Sequence, residues 1–115
     1  MTEADIYGLI GALADGKVYP YVVPLTSSSE PAVEPPWVIF SLPSDVSNDT
    51  LCGQAESRVS LQVDVYSRTI DEARSIRDEA LARLTVLNLE EIRKFPLYEP
   101  DTRLHRASFE ASLIV

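Results

Sequence analysis

The chain has 115 residues, 45% of them hydrophobic, which is enough for one domain with a core that needs no disulfide or metal. Its 10 basic and 18 acidic residues give a formal charge of −8, which argues against nucleic-acid binding by phosphate neutralisation and against attraction to anionic membranes. The single cysteine, Cys52, excludes an intramolecular disulfide. Because there is no basic-plus-apolar leader and no run of 18 apolar residues, we expect a protein made in a reducing cytoplasm.

The N-terminal part of the chain is predicted to form a helix followed by a strand. Apolar residues recur at helical spacing from Ile6 to Leu13 behind the cap residue Thr2, and Asp15-Gly16 is a typical helix end. The β-branched and aromatic stretch from Val18 to Val23 indicates a strand, and Pro20 makes it an edge or bulged strand.

Two loops enclose the next predicted strand. Thr26 to Pro36 is rich in Ser, Pro and Glu without periodicity, and Pro43 to Gly53 is rich in Pro, Ser, Asp and Asn. The apolar run Trp37 to Leu42 between them is predicted to be a strand. Long loops in a small domain tend to be functional or disordered.

The second half of the chain is predicted to be strand, helix, strand, strand. Ser57 to Tyr66 alternates apolar and polar residues, which is typical of a strand with one packed face. Thr69 and Glu72 form a capping box for a helix that runs to about Leu84. Its predicted buried stripe is Ala73, Ile76, Ala80 and Leu84, and the charged residues, Arg77 among them, fall mostly off it.

The last two predicted strands are Leu89 to Tyr98, interrupted at Pro96, and Leu104 to Val115. The resulting order is α-β-β-β-α-β-β without βαβ alternation. We therefore predict a single α+β domain over residues 1–115, with an antiparallel or mixed sheet and both helices packed on one of its faces.

No catalytic or metal-binding pattern stands out. The only histidine, His105, lies on an alternating strand, and Cys52 has no Cys-x-x-Cys partner, so a Cys52–His105 enzyme is the weakest alternative. The segment Asp45 to Asp49 lacks the spacing and the closing glutamate of a calcium loop. We predict no enzyme activity, no cofactor and no metal, and therefore a protein that works through its surfaces.

Several residues are candidates for contacts with partners. Gln62, Asp64 and Tyr66 occupy the polar face of their strand, where Tyr66 in particular suggests an interface. Trp37 is either a core residue or a contact anchor. Leu51 belongs to the loop Pro43–Gly53, which with Thr26–Pro36 is a predicted contact segment.

The succession of short motifs resembles a known family over nearly the whole chain. The motifs are Asp5-Ile6-Tyr7, Gly16-Lys17-Val18-Tyr19-Pro20, Pro36-Trp37-Val38-Ile39-Phe40 and Val63-Asp64-Val65-Tyr66, the last followed by an Ala/Arg-rich helix. In this order they resemble the small tail-completion proteins of long-tailed bacteriophages and prophages, which are similar to tail terminators. The longer Thr26–Pro35 segment and the acid-rich segment Asp45–Asp49 depart from that pattern.

The resemblance implies a structural subunit of a ring, commonly a hexamer, that caps the tail tube and offers a docking face to the head connector. The implied partners are copies of itself, the tail-tube protein and the connector. DNA would pass through the ring without specific binding, because a hexamer carries six times the charge of −8. The implied location is the host cytoplasm during assembly and then the head-proximal end of the virion tail. A neck or stopper protein, or a generic cytoplasmic interaction domain, remains the alternative.

Overall fold

The computed structural model describes residues 2–43, 45–50 and 53–114, with side chains for 2–43 and 59–113. The described part of the chain forms two α-helices, two short 3₁₀ helices and six strands. In chain order these are α1 (Glu3–Ile10), a 3₁₀ helix (Leu13–Gly16), β1 (Val18–Pro20), β2 (Trp37–Ser41), β3 (Asp45–Thr50), β4 (Gly53–Ser67), α2 (Ile70–Leu84), a 3₁₀ helix (Thr85–Leu87), β5 (Glu90–Glu99) and β6 (Leu104–Ile114).

All six strands belong to one mixed sheet, in which the path β1-β2-β4-β6-β5 gives the order of neighbours. β1 runs parallel to β2, and the other pairs are antiparallel. β4 is the central strand: β6 lies along one side of it, while β2 and then β3 share its other side. The predicted α+β class with a mixed sheet is confirmed.

Both helices pack on the same face of this sheet, as predicted. The alternate residues Val59, Leu61, Val63 and Val65 of β4 point to that face, because side chains in a strand alternate between its two faces. The buried core on this face consists of Ile6, Ile10, Leu13, Val18, Val38, Phe40, Val59, Leu61, Val63, Val65, Ala73, Ala80, Leu84, Ala107, Phe109 and Leu113.

Helix α2 begins where the sequence predicts. The Thr69 hydroxyl accepts a hydrogen bond from the Glu72 amide at 3.2 Å, whereas the Glu72 carboxylate accepts one from the Ser67 hydroxyl instead of closing the capping box. Arg77 was expected off the buried stripe, but it is buried. It lies one helical turn from both Ala73 and Ala80, and its Nε is paired with Asp78 at 3.1 Å.

The second face of the sheet is partly covered by residues 21–36, which we call the covering segment. Val23 and Val33 from this segment pack against Trp37, Ile39 and Leu104 of the sheet and form a second, smaller apolar cluster. At its far end the Glu34 carboxylate pairs with Arg68 at 2.5 Å. The segment has no helix or long strand, as predicted for Thr26–Pro36.

Several predicted boundaries are wrong. Helix α1 ends at Ile10, before Leu13, and β4 starts at Gly53, before Ser57. Pro43–Gly53 is not a loop, because β3 occupies most of it and pairs with β4. The hydrogen bonds between the two strands therefore outweigh the preference of these residues for turns.

The first strand ends at Pro20 because Tyr21 adopts a φ of 67°. β5 continues through Pro96, which an edge strand tolerates when the proline nitrogen faces solvent.

The start of β4 extends beyond the main sheet. Within the described residues the last β4–β6 pair is Arg58–Ile114, and residues 53–57 of β4 pair there with β3 alone. The chain has a radius of gyration of 15.4 Å, against about 13 Å for a compact domain of this length. We call this two-stranded projection, residues 45–50 and 53–57, the ribbon.

Candidate interaction surfaces

The floor of the second face is an aromatic stack at the end of the sheet where β4 leads into α2. The rings of Trp37 and Tyr66 lie 5.5 Å apart at 27°, as their opposed positions on β2 and β4 require. Arg106, opposite Tyr66 on β6, places its guanidinium 6.0 Å from the Tyr66 ring centre and donates to the Tyr66 hydroxyl at 3.4 Å. The buried Arg106 Nε has no hydrogen-bond partner among the described residues.

Burial and Arg106 act in opposite directions on the Tyr66 phenol. Burial disfavours the charged phenolate and raises the pKa of Tyr66, while the hydrogen bond and positive charge of Arg106 lower it. The net pKa of Tyr66 is raised. The phenol is therefore neutral at physiological pH and acts here as a stacking and hydrogen-bonding group.

A buried carboxylate lies next to the stack. Asp64 is 8% exposed and accepts a hydrogen bond from the Ser108 hydroxyl at 2.6 Å. The Gln62 amide donates to both of its oxygens at 3.2 Å. No described Lys or Arg forms an ion pair with Asp64.

A groove of about 280 Å³ opens above these residues, between the covering segment and the β5–β6 turn. Its floor is formed by Trp37, Ile39, Asp64 and Tyr66, and its other lining residues are Tyr21, Val22, Val23, Pro31, Glu99, Thr102 and Leu104. The groove is thus an apolar channel with one buried acid in its floor and a second acid at its side.

A wider concavity of about 500 Å³ lies on the uncovered half of the same face. Its lining mixes polar and apolar groups and includes Arg93, Glu110 and Ser112 from β5 and β6. Arg93 and Glu110 form an ion pair with each other at 2.6 Å. Because its main charges are already paired, this concavity has less to offer a charged ligand than the groove has.

Strand β5 forms one long edge of the sheet. Eight of its ten residues are exposed, and the other two, Phe95 and Glu99, are partly buried. Three large apolar side chains on it, Ile92, Leu97 and Tyr98, are 42–51% exposed. Leu97 and Tyr98 are adjacent and point to opposite faces of the strand, so exposed apolar groups lie on both faces of this edge, which is typical of a contact surface.

The described residues show no arrangement for catalysis or metal binding. The His105 ring lies 4.9 Å from the Tyr98 ring, with which it packs at 52°. No group of three His, Cys, Asp or Glu side chains in the described ranges is placed to hold a metal ion. Cys52 lies outside the described residues, so its pairing with His105 is not tested. None of the described helices has the length and apolar character to span a membrane.

The geometry alone does not indicate a protein family, whereas a comparison with known protein families does. The family model of tail completion protein gp17 matches residues 4–115, nearly the entire chain. The chain belongs to this tail completion family. A search of curated proteins found no match.

Membership in the tail completion family makes the chain a structural protein of phage tail assembly. The family is structural rather than catalytic and works through contacts with other tail proteins. The predicted resemblance is therefore confirmed, and the surfaces described above, rather than a reactive centre, are the places to look for function.

The structure brings four of the predicted contact residues together. Gln62, Asp64, Tyr66 and Trp37 lie side by side on the second face, whereas Leu51 falls outside the described residues. Trp37 is 4% exposed and Asp64 is largely buried, so within one chain they are floor residues and not open surface. Whether the four meet a partner stays a prediction.

Residue-by-residue analysis missed Arg106 and Ser108, which contact Tyr66 and Asp64 from β6. The alternation of β6 places both on the face opposite Ala107 and Phe109, so their orientation was readable. The register that sets Ser108 opposite Asp64 depends on how β4 and β6 meet across 44 positions of chain, and no local pattern encodes it.

Proposed function

We propose that this tail completion protein caps the head-proximal end of the tail tube as one subunit of a ring and offers the ring's outer side to the head connector. The observation that supports the proposal is that two unlike elements lie on opposite sides of the central strand of the sheet, where each could contact a different neighbour. These are the exposed edge of β5 and the ribbon formed by β3 and the start of β4.

In a head-to-tail ring, each subunit uses two different surfaces, and the first surface of one subunit contacts the second surface of the next. β3 lies on the side of β4 away from β6 and β5, so the two surfaces do not compete for one neighbour. A contact of this kind closes into a ring when its rotation allows. A closed ring that matches the symmetry of the tube would occupy all of its growth sites at once, and many weak contacts then act together.

The ribbon supports the proposal through its backbone pairing. Among the described residues, 53–57 of β4 pair with β3 and not with β6, and isolated two-stranded ribbons are only marginally stable in water. A neighbouring subunit or the tube would supply a packing surface for the ribbon. Leu51 lies between the two ribbon strands in the sequence, and we keep it as a proposed contact residue.

The edge of β5 supports it in a different way. Pro96 has no amide to donate to a further strand, and the register of β5 is irregular between Glu90 and Arg93. Such features discourage indiscriminate strand pairing. The exposed Leu97 and Tyr98 side chains remain available. We therefore propose that β5 contacts its neighbour through side chains rather than by adding a long strand.

The charge of −8 per subunit suits a ring through which DNA passes without being held. We propose that the channel wall is acidic or neutral. A reconstruction with a channel lined by Lys and Arg would contradict this part of the proposal.

Electron microscopy of gold-labelled protein mixed with tail tubes of the same phage tests the function. We expect label at one end of each tube, and we expect labelled tails to join heads in a complementation assay. Label along the sides of tubes, or label on head connectors but never on tubes, would refute the terminator role. The second result would instead support a neck protein.

A matched pair of variants tests the β5 surface. Leu97→Lys should abolish or strongly reduce tube-end labelling, because it places a charge in an apolar contact, while the thermal midpoint of the monomer stays close to wild type. Val86→Lys is the control, since Val86 is 70% exposed, lies in the 3₁₀ helix before β5 and is not on the edge strand. Equal labelling by both variants would show that β5 is not the contact.

A further inference from the structure

The groove on the second face contains a buried carboxylate that forms no ion pair within the described part of the chain. Burial lowers the pKa of the nearby Arg106, but its hydrogen bond to Tyr66 and the charge of this carboxylate raise that pKa. Asp64 lies in the floor of the groove and is more than nine-tenths buried. Its two hydrogen-bond donors, the Ser108 hydroxyl and the Gln62 amide, are both neutral. Burying a carboxylate is costly unless it is hydrogen-bonded and paired with a cation, so a cation that contacted Asp64 directly would lower that cost.

The nearest candidate cation within the described chain, Arg106, contacts Tyr66 instead of Asp64. Arg106 stands opposite Tyr66, two pairs along the β4–β6 ladder from Asp64, and its guanidinium contacts the Tyr66 ring and hydroxyl. It forms no ion pair with Asp64. Asp64 Oδ1 accepts from both Gln62 and Ser108, whereas Oδ2 accepts only from Gln62. Because a carboxylate oxygen can accept two hydrogen bonds, Oδ2 keeps capacity for one further donor.

The size and lining of the groove limit what could enter. Its volume of about 280 Å³ is below the roughly 300–1,000 Å³ typical of sites for drug-sized molecules, so it suits a side chain or two. Val22, Val23 and Leu104 would contact a hydrocarbon stem, and Asp64 would meet a positive head group. Glu99, also in the lining, adds a second negative charge.

We propose that this groove binds a lysine or arginine side chain that a partner protein presents between apolar residues. The inference rests on the proposed function in one respect, namely that the partner is another tail protein. The chemistry of the site is argued from the geometry of the groove alone. The partner's cation would pair with Asp64, and its apolar neighbours would pack on the exposed rim at Tyr21 and Val22. Contacts of this kind, central and desolvated, typically dominate the energy of an interface.

Three synthetic peptides of equal length test the chemistry without any tail component. The probes are acetyl-Val-Lys-Val-amide and its analogues with norleucine or glutamate in the central position. In a ¹⁵N-edited NMR titration, the lysine probe should shift the amides of Asp64, Tyr66 and Leu104. We expect it to bind at least tenfold more tightly than norleucine, with no binding by glutamate.

Variants of the chain complete the test. Asp64→Asn should reduce affinity for the lysine probe to that for norleucine, while Glu110→Gln, which changes a carboxylate paired with Arg93 outside the groove, should leave it unchanged. Val22→Lys keeps the fold because Val22 is 58% exposed, and its added charge at the rim should also weaken lysine binding. Equal binding of lysine and norleucine by the native chain would overturn the proposal, as would a Val22→Lys variant with native affinity.

The outcome is separable from that of the proposed function. If the chain bound the lysine probe selectively but never labelled tube ends, the proposed lysine site would be supported and the terminator role would be refuted. If the chain bound none of the peptides and the Val22→Lys variant still labelled tube ends, the terminator role would be supported and the proposed lysine site would be refuted.

Discussion

Truncation of Trp37 distinguishes a core residue from an interface anchor. The indole is 4% exposed and stacks on Tyr66, so Trp37→Ala removes almost all of the roughly 250 Å² that a buried tryptophan hides from water. At about 25 cal/mol per Å² this corresponds to about 6 kcal/mol, and residual burial in the unfolded chain reduces it to about 4 kcal/mol. Measured Trp→Ala losses in protein cores of about 3–5 kcal/mol agree with that value.

A loss of this size is measurable by urea unfolding of the purified monomer. With a slope of about 2 kcal/mol per molar urea, the midpoint should fall by roughly 2 M. Tyr21→Ala is the control, because Tyr21 is an exposed aromatic on the covering segment, and its midpoint should change by no more than a quarter as much. If Trp37→Ala left the midpoint within 0.5 M of wild type (about 1 kcal/mol at this slope) while assembly on tubes was lost, the covering segment would not pack as described.

Two further predictions concern single groups. Because burial raises the pKa of Tyr66 above its unfolded value, the stability that this phenol contributes is present below about pH 10 and is lost as the pH rises through the folded-state pKa. Tyr66→Phe should therefore lose stability less steeply than wild type in urea titrations between pH 9 and 11, and parallel curves would contradict the burial of the phenol. Thr69→Ala removes the hydroxyl that accepts from the Glu72 amide and should cost about 1 kcal/mol in thermal unfolding. Thr69→Ser should retain most of that stability, and an equal loss in both variants would show that the cap is not the cause.

Elements with a strong period were predictable from the sequence. The alternation of β4 placed every second residue from Val59 to Val65 in the core. It placed Gln62, Asp64 and Tyr66 on the other face. Thr69 fixed the start of α2 because its hydroxyl satisfies an amide that the helix itself leaves unpaired. These signals are local, so no knowledge of the rest of the chain was required.

Features set by distant contacts were not predictable. β3 has the composition of a turn, and its pairing with β4 makes it a strand. The second face reads as open from β4 alone, but the covering segment, whose sequence has no period, packs over half of it. The charge of Asp64 was visible, whereas its burial beside Ser108 depends on the register of β6.

The most direct test of the ring proposal is a cryo-electron reconstruction of a tail tube end with this protein bound. We predict one closed ring at a single end of the tube, with the β5 edge and the ribbon at the contacts between neighbouring subunits and a channel not lined by basic residues. Single copies scattered along the tube, or a ring in which β5 and the ribbon both face solvent, would contradict the account.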